Sequence, residues 1–439
     1  MKRITNFSKS IKLREKAHSL IPGGAHTYSK GDDQYPYLAP SFIVKGKGCH
    51  VWDVDGNEFI DYGMGLRSVI LGYAYDEVDN AAIEQIRLGT NYTRPALVEM
   101  ELAEKLKEII PCAEMSKFGK NGSTITTAAV KLARAYTGRE LVVCCKEHPF
   151  FSYDDWFIGT TPCDSGIPDA IKKLTLTFNY NKIETLQKLF EEHANQIACV
   201  ILEPTNLEEP KDNFLQKVKD LCHKNGAIFI LDEMITGFRW HLKGAQTYYN
   251  VIPDLATFGK GMANGYSLAA LCGKKEIMEI GGIYSKHDRV FLISTTHGAE
   301  NQALRAGLQT IEIIKREDAL TKIWKNGQFL MDEFKKIIKS HNLDEFINII
   351  GASGNMAVVC REQNKQVSMA FRTLYIQEMI ANGVLIPWVA ISYSHSSEDL
   401  NKTYEAFNET LKVYKKALNE GIEKYLVGNA IKPVFRKKN

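Results

Sequence analysis

Along the middle of this chain, residues 141–145, 197–202, 227–231 and 268–272 are continuous apolar runs of strand length. A run without polar alternation suits a strand buried on both faces. Between these runs, from about residue 75 to 306, apolar positions recur at helical spacing. Such alternation predicts a mostly parallel sheet with helices on both sides. Upstream, residues 37–60 read as short strands turning at Asp55-Gly56-Asn57, a composition suited to a tight turn. Downstream, residues 317–340 and 397–421 carry amphipathic helical patterns around a strand-like stretch at 356–360. The expected organisation is an α/β protein in which residues 1–75 supply an arm and part of a small domain. Residues 76–310 form the large domain and 311–439 the rest of the small one. There is no repeat or low-complexity segment.

Composition narrows the function classes. The 439 residues carry a net charge of +3, too small and dispersed for a nucleic-acid surface. The first residues lack the apolar core of a signal peptide, and no stretch approaches membrane-spanning length. The nine cysteines show no Cys-x-x-Cys spacing and suit reduced, mostly buried thiols. A cytoplasmic enzyme is expected. Cys144-Cys145 with His148 is a fragment of a metal set at most, so no metal is expected.

The candidate chemistry gathers around Lys260, in the run Thr257-Phe258-Gly259-Lys260-Gly261. A lysine amine becomes a nucleophile when burial lowers its pKa, and flanking glycines leave room for a flat ring. Alone, this would read as a solvated turn. An apolar run ending at Asp232-Glu233-Met234 adds a strand-end carboxylate, where open α/β sheets place ligand groups. Asp232 is favoured over Glu233 because Met234, two positions on, returns to the same side to pack on a ring. The segment Asn121-Gly122-Ser123-Thr124 opens a helical pattern. Free N–H groups and the helix dipole there favour a phosphate, although an ordinary cap has the same composition. Lysine, acid and phosphate cup together suit pyridoxal phosphate.

These residues resemble the class III pyridoxal-phosphate aminotransferases, in particular the glutamate-1-semialdehyde 2,1-aminomutase-like branch, over nearly the whole chain. The matching motifs occur in the family's order: Ile21-Pro22-Gly23-Gly24, Trp52-Asp53-Val54-Asp55-Gly56, Asn121-Gly122-Ser123, Glu203-Pro204, Asp232-Glu233-Met234 through Arg239, Lys260, and Thr295-Thr296-His297-Gly298. The resemblance implies a fold-type I transferase whose small domain comes from both chain ends. It makes Lys260 the Schiff-base lysine, Asp232 the partner of the pyridinium nitrogen, and Asn121, Gly122 and Ser123 the phosphate site. It further implies that Glu203 lies near the cofactor and that Thr296 reaches the phosphate from a neighbouring subunit of a homodimer. Counting back from Asp155-Trp156-Phe157 puts Phe150 on the family's ring-stacking tyrosine, whereas an ungapped count from Gly138-Arg139 puts His148 there.

Departures from the aminomutase pattern bear on the substrate. Thr124 stands where the aminomutase has glutamate, and Lys30 where it has the arginine that meets the substrate carboxylate. An ammonium does not reproduce the two-point grip of a guanidinium. Asn91, Thr93 and Arg94 put hydroxyl, amide and cation where the aminomutase has small residues. The expectation is transamination from an amino acid, glutamate foremost, to a hydroxylated carbonyl metabolite, such as a keto-sugar of surface-polysaccharide synthesis. The alternatives are the aminomutase reaction and a non-catalytic protein that keeps the fold. His26, His297 and His395 read as packing or orienting residues, since the released lysine itself moves the proton in this chemistry.

Overall fold

The apolar runs form one seven-stranded sheet in the computed structural model, which describes residues 3–438. In chain order the strands are β1 (Met115–Gly119), β2 (Leu141–Cys145), β3 (Thr175–Phe178), β4 (Ile197–Leu202), β5 (Ile228–Asp232), β6 (Leu255–Phe258) and β7 (Ala269–Gly273). Their spatial order is β1-β7-β6-β5-β4-β2-β3. Strands β2 to β6 pair in parallel, while β7 runs antiparallel to both β1 and β6. The sheet is therefore mixed and dominated by parallel pairs.

Every residue of β4 to β7 is buried, which is why these strands read as unbroken apolar runs. Val143, Val200, Leu202, Phe229 and Leu231 share a core cluster with Leu186, Phe190, Phe214 and Val218. The last four lie on the helices Ile183–Glu192 and Phe214–Lys224. The intervening strand residues point to the opposite face. Helix α1 (Gly122–Thr137) packs across β1 and β4 to β7. It ends at Gly138, whose φ of 66° is a left-handed cap that glycine adopts without strain.

The chain divides into two units. Residues 67–69, 76–320 and 437–438 form the unit with the seven-stranded sheet. The other, residues 3–66, 70–75 and 321–436, draws on both chain ends. It contains a four-stranded sheet in the order Ile43–Lys47, His50–Asp53, Glu58–Asp61, Val384–Leu385, and a three-stranded one of Ile347–Ala352, Asn355–Cys360 and Val389–Ala390. Its turn at residues 55–57 is held by Asp53, whose Oδ1 accepts the N–H groups of Asp55 (2.9 Å) and Asn57 (2.8 Å).

In the same unit the helix Ser397–Glu420 opens with a reciprocal cap between Ser396 and Asp399. Asp399 also accepts from the Cys49 thiol (3.3 Å) and pairs with His50 Nε2 (3.0 Å). Cys49, His50 and Asp399 thus bring possible ligand atoms within 4.8 Å of one another, a grouping that no local spacing announced. The carboxylate is occupied by the cap, and burial pushes the thiol far above its ordinary range, so the cluster reads as helix anchoring. Among the described residues no helix is long and apolar enough to cross a membrane.

Candidate active site

Strand register brings the acidic residues together. Leu202 of β4 pairs with Leu231 of β5, and Asp232 with Thr257 of β6. Glu203 follows β4 directly, Asp232 closes β5, and Lys260 lies two residues past β6, so all three occupy carboxyl ends of parallel strands.

Asp232 is buried, with Oδ1 accepting from the Met234 N–H (3.0 Å) and the Thr257 hydroxyl (2.8 Å). Burial raises its pKa, opposed by Lys260 and those two donors. Glu203 is also buried, and its carboxylate accepts from the Asn206 side chain at 3.1 and 3.3 Å. Burial, then the charge of Asp232, pushes it up to about 8. Lys260 is lowered by burial, supported by Asp232 and Glu203, and lowered further by Arg67 and Arg239. Its φ of 38° is a left-handed conformation that a side-chain-bearing residue holds only under constraint. A lysine so placed has its neutral, nucleophilic form within easier reach than one in water.

Glu233 takes a different part. It accepts from the backbone N–H groups of Ala245 and Gln246 and from the Gln246 side chain, and burial brings it up to about 7. It ties down the following loop, which leaves Asp232 as the carboxylate beside Lys260.

At the start of α1, Asn121 Oδ1 accepts from the Thr124 N–H (2.9 Å) and hydroxyl (3.1 Å). The Ser123 hydroxyl accepts the Tyr153 N–H at 3.1 Å. Met234 lies against two glycines, and a Cβ would stand 3.1 Å from its sulfur at Gly122 and 2.7 Å at Gly259. A side chain at either position would displace Met234. A buried acid, a lysine of lowered pKa and a helix N-terminus are groups that could hold pyridoxal phosphate, the acid at its ring nitrogen and the residues from Asn121 to Ser123 at its phosphate.

His148 is committed to the core. Its Nδ1 accepts the Glu203 N–H (3.0 Å), its ring lies 5.0 Å from that of Tyr180, and burial lowers it to about 3. Phe150 is 48% exposed, edge-on to Phe157 at 5.9 Å. Asn91, Thr93, Arg94 and Thr296 are exposed, and the Asn91 amide donates to the Thr296 carbonyl at 3.0 Å. Lys30 is exposed in the turn Tyr28–Lys30 of the other unit. His26 and His297 are exposed, whereas His395 is buried, accepts the Ser392 N–H and is lowered to about 4. Arg67 and Arg239, which act on Lys260, are the site residues that motif reading passed over. Arg239 closes the quoted Asp232 motif and was legible there; Arg67 carries no comparable signal.

The raised pKa of Glu203 has a consequence for stability. Folding takes up a proton wherever the unfolded carboxyl, near 4.5, is ionised and the folded one, near 8, is not. The contribution of this group is therefore full below about 4.5 and is lost as pH rises toward about 8. Glu203→Gln should gain stability relative to wild type across that window. Thermal melts of the cofactor-free proteins at pH 5 and pH 8 check it, and an unchanged difference between the two pH values would contradict the shift.

The profile of the aminotransferase class-III family matches residues 30–411. The chain is 34% identical over 422 residues to a 3-aminobutyryl-CoA aminotransferase of Cloacimonas acidaminovorans, covering 94% of this chain and 99% of that one. It is 32% identical over 430 residues to a glutamate-1-semialdehyde 2,1-aminomutase of Methanosphaera stadtmanae, covering 93% and 100%. The fold matches the crystal structure of an omega-transaminase from Sphaerobacter thermophilus with a TM-score of 0.84 at 23% identity, over 93% of this chain and 98% of that one.

Proposed function

Because the chain belongs to the class III aminotransferases, which are pyridoxal-phosphate enzymes, we propose that it moves an amino group from an amino acid, with glutamate as donor, to a separate carbonyl acceptor. The observation that carries this reading is the buried group of Asp232, Glu203 and Lys260 on adjoining strand ends. Bound there, the cofactor supplies an electrophilic carbon for the donor amine and an electron sink for its Cα–H bond. Asp232 holds the proton of the ring nitrogen, and the cationic ring counters the burial that raises this carboxyl. Lys260 Nζ carries the cofactor covalently and, once released, moves the substrate proton. Phe150 stacks on the ring, since His148 is held in the core. Thr296 reaches the phosphate of a second subunit, which makes the functional unit a homodimer. Large apolar residues exposed nearby in sequence, Ile283, Tyr284 and Phe291, suit a face that another subunit covers.

The acceptor is a hydroxylated carbonyl compound, a keto-sugar being the first candidate, because Asn91, Thr93 and Arg94 present amide, hydroxyl and cation to solvent. The aminomutase reaction is the second reading, favoured by the 32% identity to the Methanosphaera protein. Against it stand Thr124 and Lys30 where that branch has glutamate and arginine.

Glutamate alone should convert the holoenzyme to its amino form with release of 2-oxoglutarate, seen as loss of the visible band. Keto-sugars, nucleotide-linked keto-sugars and semialdehydes are then screened for restoring that band. Turnover of glutamate-1-semialdehyde with no conversion by any amino acid would replace this reading with the aminomutase one.

A further inference from the structure

We propose that His148 and Tyr180 are positioning residues: together they clamp the Glu203-Pro204 segment and so fix the Glu203 carboxyl at the strand ends that carry Asp232 and Lys260. The inference rests on the amino-transfer reading above and adds to it what holds the second acid in place.

Register shows where Glu203 stands. Leu202 of β4 pairs with Leu231 of β5, so Glu203 and Asp232 come next along neighbouring parallel strands, which lie about 4.8 Å apart. Val200, Leu202, Phe229 and Leu231 face the core cluster on one side of the sheet, so alternation turns Glu203 and Asp232 together to the other side. Thr257 of β6, just ahead of Lys260, donates its hydroxyl to Asp232 there.

At this point the backbone runs out of ladder partners. Strand β2 ends at Cys145, and Pro204 has no N–H, so the Glu203 N–H is the last donor before the chain turns away. His148 takes it, with Nδ1 accepting at 3.0 Å. At the far end of the same dipeptide the Tyr180 hydroxyl donates to the Pro204 carbonyl. One side chain accepts, the other donates, and the segment between them carries the carboxyl. Asn206 then sets the carboxyl itself, its amide donating to the two oxygens at 3.1 and 3.3 Å.

The clamp is braced in turn. His148 and Tyr180 are both buried, and their rings lie 5.0 Å apart. Glu147, the chain neighbour of His148, accepts the Tyr180 N–H (2.9 Å) and the Asn179 amide (2.7 Å), which ties the exits of β2 and β3 together. Nδ1 accepts only while it is unprotonated, and burial lowers His148 to about 3, so the bond persists throughout the range in which Glu203 titrates. An apolar side chain would fill the same space but leave the Glu203 N–H unpaired.

The test uses holoenzyme of wild type, His148→Leu, His148→Asn and Glu203→Gln. Asparagine keeps an acceptor oxygen as many bonds from the backbone as Nδ1, and leucine has none. The readings are the pH midpoint of the cofactor's visible band without substrate and the rate of the half-reaction with glutamate. Glu203→Gln should lower the midpoint, because glutamine cannot carry the charge that supports the lysine nitrogen. We expect His148→Leu to lower it as well, by about 0.5 unit or more, and the double variant to go no lower than Glu203→Gln alone. Its saturating rate should fall by about 3- to 10-fold, the worth of one hydrogen bond, with glutamate affinity unchanged, and His148→Asn should restore both readings. A His148→Leu protein that melts earlier but keeps the wild-type midpoint and rate would make the residue a core filler and overturn the assignment, as would shifts that add in full to those of Glu203→Gln. If wild type converts no amino acid, amino transfer fails while the midpoint still decides the clamp. Should His148→Leu not take up cofactor, Tyr180→Phe, which loses one oxygen, decides: a wild-type midpoint refutes the clamp.

Discussion

Lys260→Ala is expected to bind pyridoxal phosphate without a covalent link and to transfer amino groups at least about 10²- to 10⁴-fold more slowly, the usual contribution of a positioned proton-transfer group. The cause is the loss of one amine that both carries the cofactor and moves the substrate proton. Burial places that amine closer to its neutral form, while Asp232 and Glu203 limit the shift. Borohydride treatment followed by peptide mass analysis checks it, since the wild-type peptide containing Lys260 should gain the mass of the reduced cofactor. A variant that still gains this mass at another lysine would reassign the attachment site.

Asp232→Asn is expected to keep the Lys260 linkage and lower kcat/KM by about 10²- to 10³-fold, the loss typical of removing one preorganised electrostatic partner. The substitution preserves volume and leaves an oxygen for the Met234 N–H and the Thr257 hydroxyl. It removes only the charge that holds a proton on the ring nitrogen. Activity equal to wild type would point to Glu203, the other carboxylate acting on Lys260, as the partner.

Much of this was legible in the sequence because it is local. A strand buried on both faces must be apolar at every position, so β2 and β4 appear with their bounds, and β5 and β7 within one residue. Asp232 and Lys260 stood out because a charged residue at the end of such a run is costly to bury unless it is used. The Asn121 cap and the Gly138 stop are likewise chain-neighbour effects. The edge strand β3 went unread because its burial is incomplete and its four residues include two threonines.

The features left to the tertiary structure depend on residues far apart in the chain. The antiparallel course of β7 between β1 and β6 follows from how the strands pair, and its apolar run would look the same in either direction. His148 could be counted onto the stacking position until packing placed it against Glu203 and Tyr180. The turn at residues 64–67 runs against the preferences of Met64, Leu66 and Arg67, and no spacing announced that Asp61 and Tyr73, a few residues to either side, would accept its N–H groups. Composition and spacing thus determined four of the seven strands and singled out the acid and the lysine. Long-range packing decided which charges surround them, because burial and neighbouring charge set a group's protonation and neither is written in the residue itself.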